Sequence, residues 1–230
     1  MQLQAIDRVA SISPEDFRKN YYEPKKPLII TNLAKSWPAY QKWNWDYFIK
    51  IVGDKEVGVY NNIKSDAYTA INTADAYMKF GEYLQKARSG PLDLRIFLFN
   101  IFQHAPEITQ DFTWPDELMN GFVKKYPMLF VGGQGSITHM HFDIDMSHIL
   151  HTQFAGKKRV LLFPFEEQYK LYRKPWEVLS MANYANYKEG FDYEHFPAVK
   201  LAKGYEVVLE HGDTLYMPAG FWHHMEYVEA

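Results

Sequence analysis

The sequence predicts an all-β core with helical additions, a sandwich or barrel of short strands. The first observation behind this is punctuation: from residue 94 onward, runs of β-branched and aromatic residues alternate with Gly, Pro and Asp. The second is composition. Aromatic residues make up 17% of the 230, and rings pack well on pleated surfaces. The third is the contrast with the earlier part of the chain, where helix-start signals recur. There is no internal repeat, low-complexity tract or linker. The expected organisation is therefore one domain over 1–230: a helical cap with two strands over about 1–90, then the β core over about 91–230.

Ser13-Pro14-Glu15-Asp16 supplies an N-cap, a proline at the first helical position and acids where the macrodipole favours them. A short helix to about Tyr21 follows. Pro27 to Thr31 is a β-rich run and is expected as a strand. Trp37-Pro38 interrupts the chain, and Asn44 opens a second helix over Trp45 to Val52, closed by Gly53. Glu56 to Tyr60 is the next strand. Thr73 is expected to cap a longer helix with Tyr77, Phe80, Tyr83 and Leu84 at helical spacing, ending near Ser89-Gly90-Pro91. The core strands are expected at 94–99, 127–131, 137–142, 149–154, 159–163, 205–209, 214–217 and 222–228. Glu166 to Phe196, which includes Trp176, has helical and loop character.

The formal net charge is -3 with both signs mixed along the chain, so neither nucleic acid nor an anionic membrane surface is an expected partner. No apolar run approaches membrane-spanning length, and Met1 to Ala10 lacks the basic-then-apolar order of a signal peptide. A soluble, cytoplasmic protein is expected. With no cysteine, disulfides and thiolate metal sites are excluded together, and any metal must sit on His and carboxylates.

His141-Phe142-Asp143 is the triplet on which the chemistry turns. In an extended strand, residues i and i+2 share a face with Cα atoms roughly 6.6 Å apart, so an imidazole and a carboxylate can hold one ion. Taken alone, such a triplet is more often a surface His beside a solvated Asp. The context is richer here: His139, His141, His148 and His151 fall close together, and His223-His224 follow a Gly212-Asp213 turn and Pro218. Only one of His223 and His224 can face inward on a regular strand. Two His and one carboxylate on one side of a metal form the facial triad of non-haem Fe(II) oxygenases. His139 shares the 141/143 face and is a rival ligand, whereas His148 and His151 read more simply as core or rim residues. After Gly156, alternation lets Lys158 face inward while Lys157 and Arg159 face out. The pairs Trp43/Trp45 and Tyr184/Tyr187 read as core and lid packing. Gly132-Gly133-Gln134-Gly135 lacks the Lys-Ser/Thr of a phosphate loop and reads as a hairpin turn.

Taken together, these motifs resemble the Jumonji C (JmjC), cupin-like group of Fe(II)- and 2-oxoglutarate-dependent oxygenases, with the nearest likeness to the branch of the hypoxia-inducible-factor asparaginyl hydroxylase. The series is ordered: Pro27 to Ile30, Trp37-Pro38-Ala39 and Trp45 to Phe48; Gly135 to Thr138 before His141-Phe142-Asp143; Gln153 to Pro164; and Gly212 to Pro218 before Trp222-His223-His224. It covers about residues 11 to 228. The resemblance implies a double-stranded β-helix, a jelly-roll barrel. It also implies His141, Asp143 and His223 as iron ligands, and Thr138 and Lys158 as the pair that holds the far carboxylate of the 2-oxoglutarate co-substrate. The implied activity is hydroxylation of a protein side chain or small molecule.

This chain departs from the family pattern in three places. The stretch from Asp143 to Gly156 is two residues longer than in the asparaginyl hydroxylase, so a bulge is expected over Asp145 to His148. A co-substrate-binding Tyr of that branch falls on Phe97, for which His151 is a candidate replacement. The chain stops at Ala230, seven residues after His223. An expected final strand would then be missing, and an open edge would invite a homodimer. The alternative to an enzyme is a catalytically inactive cupin-like module that binds metal or a protein partner. A metal-dependent isomerase or dioxygenase on the same barrel would not require Lys158.

Overall fold

The computed structural model describes residues 1–63, 73–125 and 127–230. β1 (Gln2–Ala5) and β2 (Asp7–Val9) are one extended ribbon. α1 (Pro14–Phe17) starts at Ser13, whose Oγ accepts from the Asp16 N–H at 3.0 Å, and continues as a wider turn over Arg18–Tyr22. β3 (Leu28–Ile30) is buried throughout. α2 (Pro38–Lys42) begins on its proline, and α3 (Trp45–Val52) is capped by Asn44 and ends at Gly53. Next come β4 (Glu56–Tyr60), β5 (Ala76–Lys79), α4 (Phe80–Arg88), β6 (Arg95–Phe99) and β7 (Leu129–Gly132). β8 (Ile137–His141), β9 (Ile149–Thr152), β10 (Lys157–Phe163), α5 (Tyr187–Gly190), β11 (Lys203–Leu209), β12 (Thr214–Met217) and β13 (Trp222–Glu229) follow.

These strands make three sheets: a major one in the order β1-β11-β10-β13-β8, a minor one in the order β2-β3-β12-β9, and a third in the order β5-β4-β6-β7. Among the described residues only β1 with β11 and β2 with β3 pair in parallel. The major and minor sheets face each other across Ile29, Val160, Leu162, Leu215, Met217 and Met225. Strand alternation then fixes which chemistry faces that space. On β10, Lys158, Val160 and Leu162 point inward, while Leu161 and Phe163 pack outward beside Trp222 and Tyr184. On β13 the same rule turns His223, Met225 and Tyr227 inward and Trp222 and His224 outward. The third sheet, with α3 and α4, encloses a separate cluster around Trp43, Phe80 and Tyr83.

Several expectations change. The first ninety residues are not a helical cap with two strands: those described hold five strands, and β1, β2 and β3 belong to the two core sheets. β1 and β2 are short, polar and mostly exposed, and their one deeply buried neighbour is Ile6, 5% exposed, between them. β1 pairs with residues about two hundred positions on and β2 with the third strand beyond a helical segment, so no local pattern announces them. The helix expected from Thr73 begins instead at Phe80, after Lys79. Residues 76–79 pair antiparallel with β4, which leaves Tyr77 66% exposed on an edge strand. The sheets face each other without closing into a barrel. β13 is not a bare edge, because β10 and β8 flank it. The outer edge of β8 is in turn covered by residues 178–180, through Phe142 N–H to Val178 O at 3.2 Å and Ser180 N–H to Met140 O at 3.0 Å.

The glycine run after β7 is a crossing turn and not a hairpin, since β7 and β8 lie in different sheets. Its first residue matters for packing: a Cβ on Gly132 would run into the Tyr227 ring. Tyr227 is buried at the inner end of β13, so it cannot swing aside. Gly132→Ala is therefore expected to cost about 1–3 kcal/mol, read as a lower urea midpoint with an unchanged slope.

Candidate metal centre

The centre begins with an irregularity in β8. His223 pairs with His141, but Met225 pairs with Thr138, so two residues of β8 oppose one of β13. This is a β-bulge, which locally re-aims side chains. Without it Thr138 and His141, three apart, would face opposite ways. With it, both share the inward face of His223 and Met225. His139 lies in the bulge, and its Nε2 contacts the Asn62 carbonyl at 2.9 Å.

Asp143 follows as the strand ends, in a turn closed by Met146 N–H to Asp143 O at 3.0 Å. One Asp143 oxygen, Oδ1, lies 3.6 Å from His141 Nε2 and 4.0 Å from His223 Nε2. The ring centroids of the two histidines are 4.1 Å apart. One donor atom from each of the three residues lies within 4.8 Å of the others, which is close enough to hold one ion. The opposite nitrogens are engaged. His141 Nδ1 contacts the His139 carbonyl at 2.7 Å and His223 Nδ1 contacts the Phe221 carbonyl at 3.2 Å. A carbonyl can only accept, so both Nδ1 atoms carry the proton and both Nε2 lone pairs point to the shared space, as metal-binding imidazoles require.

Electrostatics supports the same assignment of charge. Burial, and then the neighbouring His141, push the His223 imidazole down to about 4 against the pull of Asp143, so it is neutral at pH 7. Burial opposes ionisation of Asp143, but the His141 hydrogen bond and the two imidazoles outweigh it and hold the carboxyl below its ordinary value. Two imidazole nitrogens and one carboxylate fit a hard-to-borderline divalent ion such as Fe(II).

A cleft of about 660 Å³ runs from Asp143 past Phe97 and Phe130 to His151, Lys158 and Tyr227. Lys158 is 2% exposed, with its Nζ 3.1 Å from His151 Nε2 and 4.5 Å from the Tyr227 ring centre. Burial brings its amine down to about 7. Its neighbours turn the other way, as alternation requires: Lys157 meets Glu229 at 3.5 Å and Arg159 meets Glu226 at 2.6 Å. Gly156, at φ +62, makes the turn that delivers this register.

The remaining candidates separate cleanly. His224, 2% exposed, faces the outer core near Tyr184. His148 bonds the Tyr216 hydroxyl at 2.8 Å and stacks on Tyr22, a packing role. Trp43 and Tyr184 are core residues. Phe97 lines the cleft with an apolar ring and offers no hydroxyl. Sequence reasoning missed Tyr227 and Gln153: an aromatic on an alternating strand and an amide before a turn carry no metal or anion signature of their own.

The comparisons agree with this geometry. Residues 14–230 match the family described as Cupin-like domain. The chain is 28% identical over 227 residues to Lysine-specific demethylase JMJ30 of Arabidopsis thaliana, covering 96% of this chain and 51% of that protein. It is 27% identical over 234 residues to Jumonji C domain-containing protein 5 of Drosophila melanogaster, covering 96% and 56%. It is 26% identical over 247 residues to HSPB1-associated protein 1 of Homo sapiens, covering 97% and 49%. The chain thus spans about half the length of these relatives. No helix among the described residues is long and apolar enough to cross a membrane. With the family match covering nearly the whole chain and a His-Asp-His group set between its sheets, the protein belongs to the cupin-like, Jumonji C family.

Proposed function

We propose that the protein is an Fe(II)- and 2-oxoglutarate-dependent oxygenase that hydroxylates a C–H bond of a protein side chain or small molecule. The single observation that carries this reading is a cleft lined both by Asp143, a member of the His141-Asp143-His223 group, and by a buried lysine, Lys158. A metal site alone would serve many cupins, but a buried cation calls for an anion as partner.

When bound, iron and 2-oxoglutarate supply the oxidation: one O₂ and one 2-oxoglutarate become succinate, CO₂ and a hydroxyl on the substrate carbon. The chain's own residues do the rest. His141 and His223 would hold the ion through their Nε2 lone pairs, and Asp143 would supply the anionic donor. Lys158 receives the far carboxylate, with Thr138 on β8, beyond the intervening β13 in the same sheet. Phe97, Phe130 and Phe154 wall the cleft with apolar rings and limit water around the reacting centre. The name of one relative, Lysine-specific demethylase JMJ30, fits the same reaction. Hydroxylation of an N-methyl carbon gives an unstable product that releases formaldehyde, so a methylated amine is one substrate class within this proposal.

Iron-loaded protein is expected to convert 2-oxoglutarate to succinate slowly even without substrate, measured by mass spectrometry. Succinate no faster than with Asp143→Ala protein would leave the alternative standing, a cupin-like module that binds without turnover.

A further inference from the structure

Lys158 carries its charge in an unusual setting. Its described partners are both neutral: the His151 ring nitrogen at 3.1 Å and the Tyr227 ring face at 4.5 Å. A lysine stem has four rotatable bonds and a point charge, so a buried ammonium with room around it needs something to aim it. A carboxylate would aim it and also cancel its charge. A neutral imidazole accepts its hydrogen bond and leaves the positive charge available to a ligand.

The state of His151 follows from its contacts. When charged, the Lys158 amine can only donate, so in that state His151 Nε2 is the accepting nitrogen and Nδ1 carries the proton. Gln153 lies two residues along from His151, and its Nε2 is donated to the Ala155 carbonyl at 2.5 Å. Gln153 is itself fixed, being 6% exposed with its backbone bonded both ways: its N–H to Asp213 O at 2.9 Å and its C=O to Gly212 N–H at 2.7 Å. Asp213 is in turn gripped by both oxygens on Arg8, at 2.7 and 2.8 Å. The backbone beside His151 is therefore pinned, and the His151 ring meets the lysine amine.

We propose that His151 is a positioning residue for the acid-binding end of the cleft. Through its contact with the amine it aims Lys158 at the far carboxylate of a dicarboxylic 2-oxo acid and so sets the preference over monocarboxylic 2-oxo acids. This rests on the co-substrate reading above. It adds a residue that touches neither metal nor ligand and acts only on one end of the ligand.

The test uses full-length protein loaded with Mn(II), titrated with 2-oxoglutarate and with 2-oxopentanoate, which lacks the far carboxylate, and read by tryptophan fluorescence and by the Mn(II) resonance. Wild-type protein is expected to prefer 2-oxoglutarate. His151→Leu should weaken 2-oxoglutarate about tenfold, the worth of one hydrogen bond to a charged group, and leave 2-oxopentanoate and Mn(II) affinity within about twofold. His151→Gln, which keeps an accepting oxygen, should recover most of the preference. Unchanged 2-oxoglutarate affinity in His151→Leu, or an equal loss for both acids, overturns the role of His151. If Lys158→Met abolishes the preference while His151→Leu keeps it, only the inference fails. If wild-type protein shows no preference, the co-substrate reading fails and takes the inference with it.

Discussion

Replacing Asp143 by Ala is expected to lower Fe(II) affinity by at least on the order of 100-fold, since even residues that merely orient metal ligands cost 10–100-fold when removed. Succinate formation should fall to background. The reason is the position of the carboxylate: Oδ1 lies 3.6 Å from one imidazole and 4.0 Å from the other, and it is the anionic member of the group. Asp143→Asn should lose nearly as much, because it keeps the shape and removes the charge. Folding should be little affected, since the Asp143 side chain is 37% exposed and changes at partly exposed positions usually stay within a few tenths of a kcal/mol. Equilibrium dialysis with Fe(II) under anaerobic conditions, beside a melting curve for each variant, separates the two effects. An Asp143→Ala protein that binds Fe(II) as tightly as wild type would remove the metal assignment.

Lys158→Met should act in the opposite sense on stability and on binding. Loss of a buried charge partner should weaken 2-oxoglutarate by roughly 2–5 kcal/mol, about 30- to 5,000-fold. Burial of an ammonium with only neutral partners is costly in the empty protein, so an apolar side chain of similar length should hold the melting temperature or raise it. The pH dependence of the wild type provides an independent check. Burial holds the Lys158 amine at about 7 in the empty cleft, while a bound carboxylate favours the charged form and raises it. Full affinity is therefore present below pH 7. It should decline about tenfold per unit as pH rises above 7, and binding near pH 8 should take up a proton. Titration calorimetry in two buffers of different ionisation enthalpy measures that uptake. No uptake, or an affinity that rises with pH, would show that the far carboxylate lies elsewhere.

The elements legible in the sequence are those whose cause is local. Ser13 and Asn44 cap helices because a short polar side chain meets an N–H three residues on. The strands from β6 to β13 were readable because alternation and turn residues are themselves local. The triplet His141-Phe142-Asp143 and the motif Trp222-His223 could be read as candidates for the same reason. β1, β2 and β5 could not, since each is a short edge strand whose pairing is supplied by residues distant in the chain or by a context that overrides helical spacing. Tyr77 shows the last case: its spacing to Phe80 and Leu84 suits a helix, yet pairing with β4 holds it extended.

By itself the sequence determined the chemistry available to this protein: no thiolate, a handful of histidines near one aspartate, and a lysine placed by a glycine turn. Only the tertiary structure decided which of these meet. Alternation says that His223 and His224 oppose each other, but the facing of β13 against the minor sheet makes His223 the inner one. A strict period of two would turn Thr138 away from His141, and the one-residue bulge against β13 brings it back. The contact of Lys158 with His151 joins strands from two different sheets. Such a contact depends on how sheets stack, a property of the whole fold that no short stretch of chain contains.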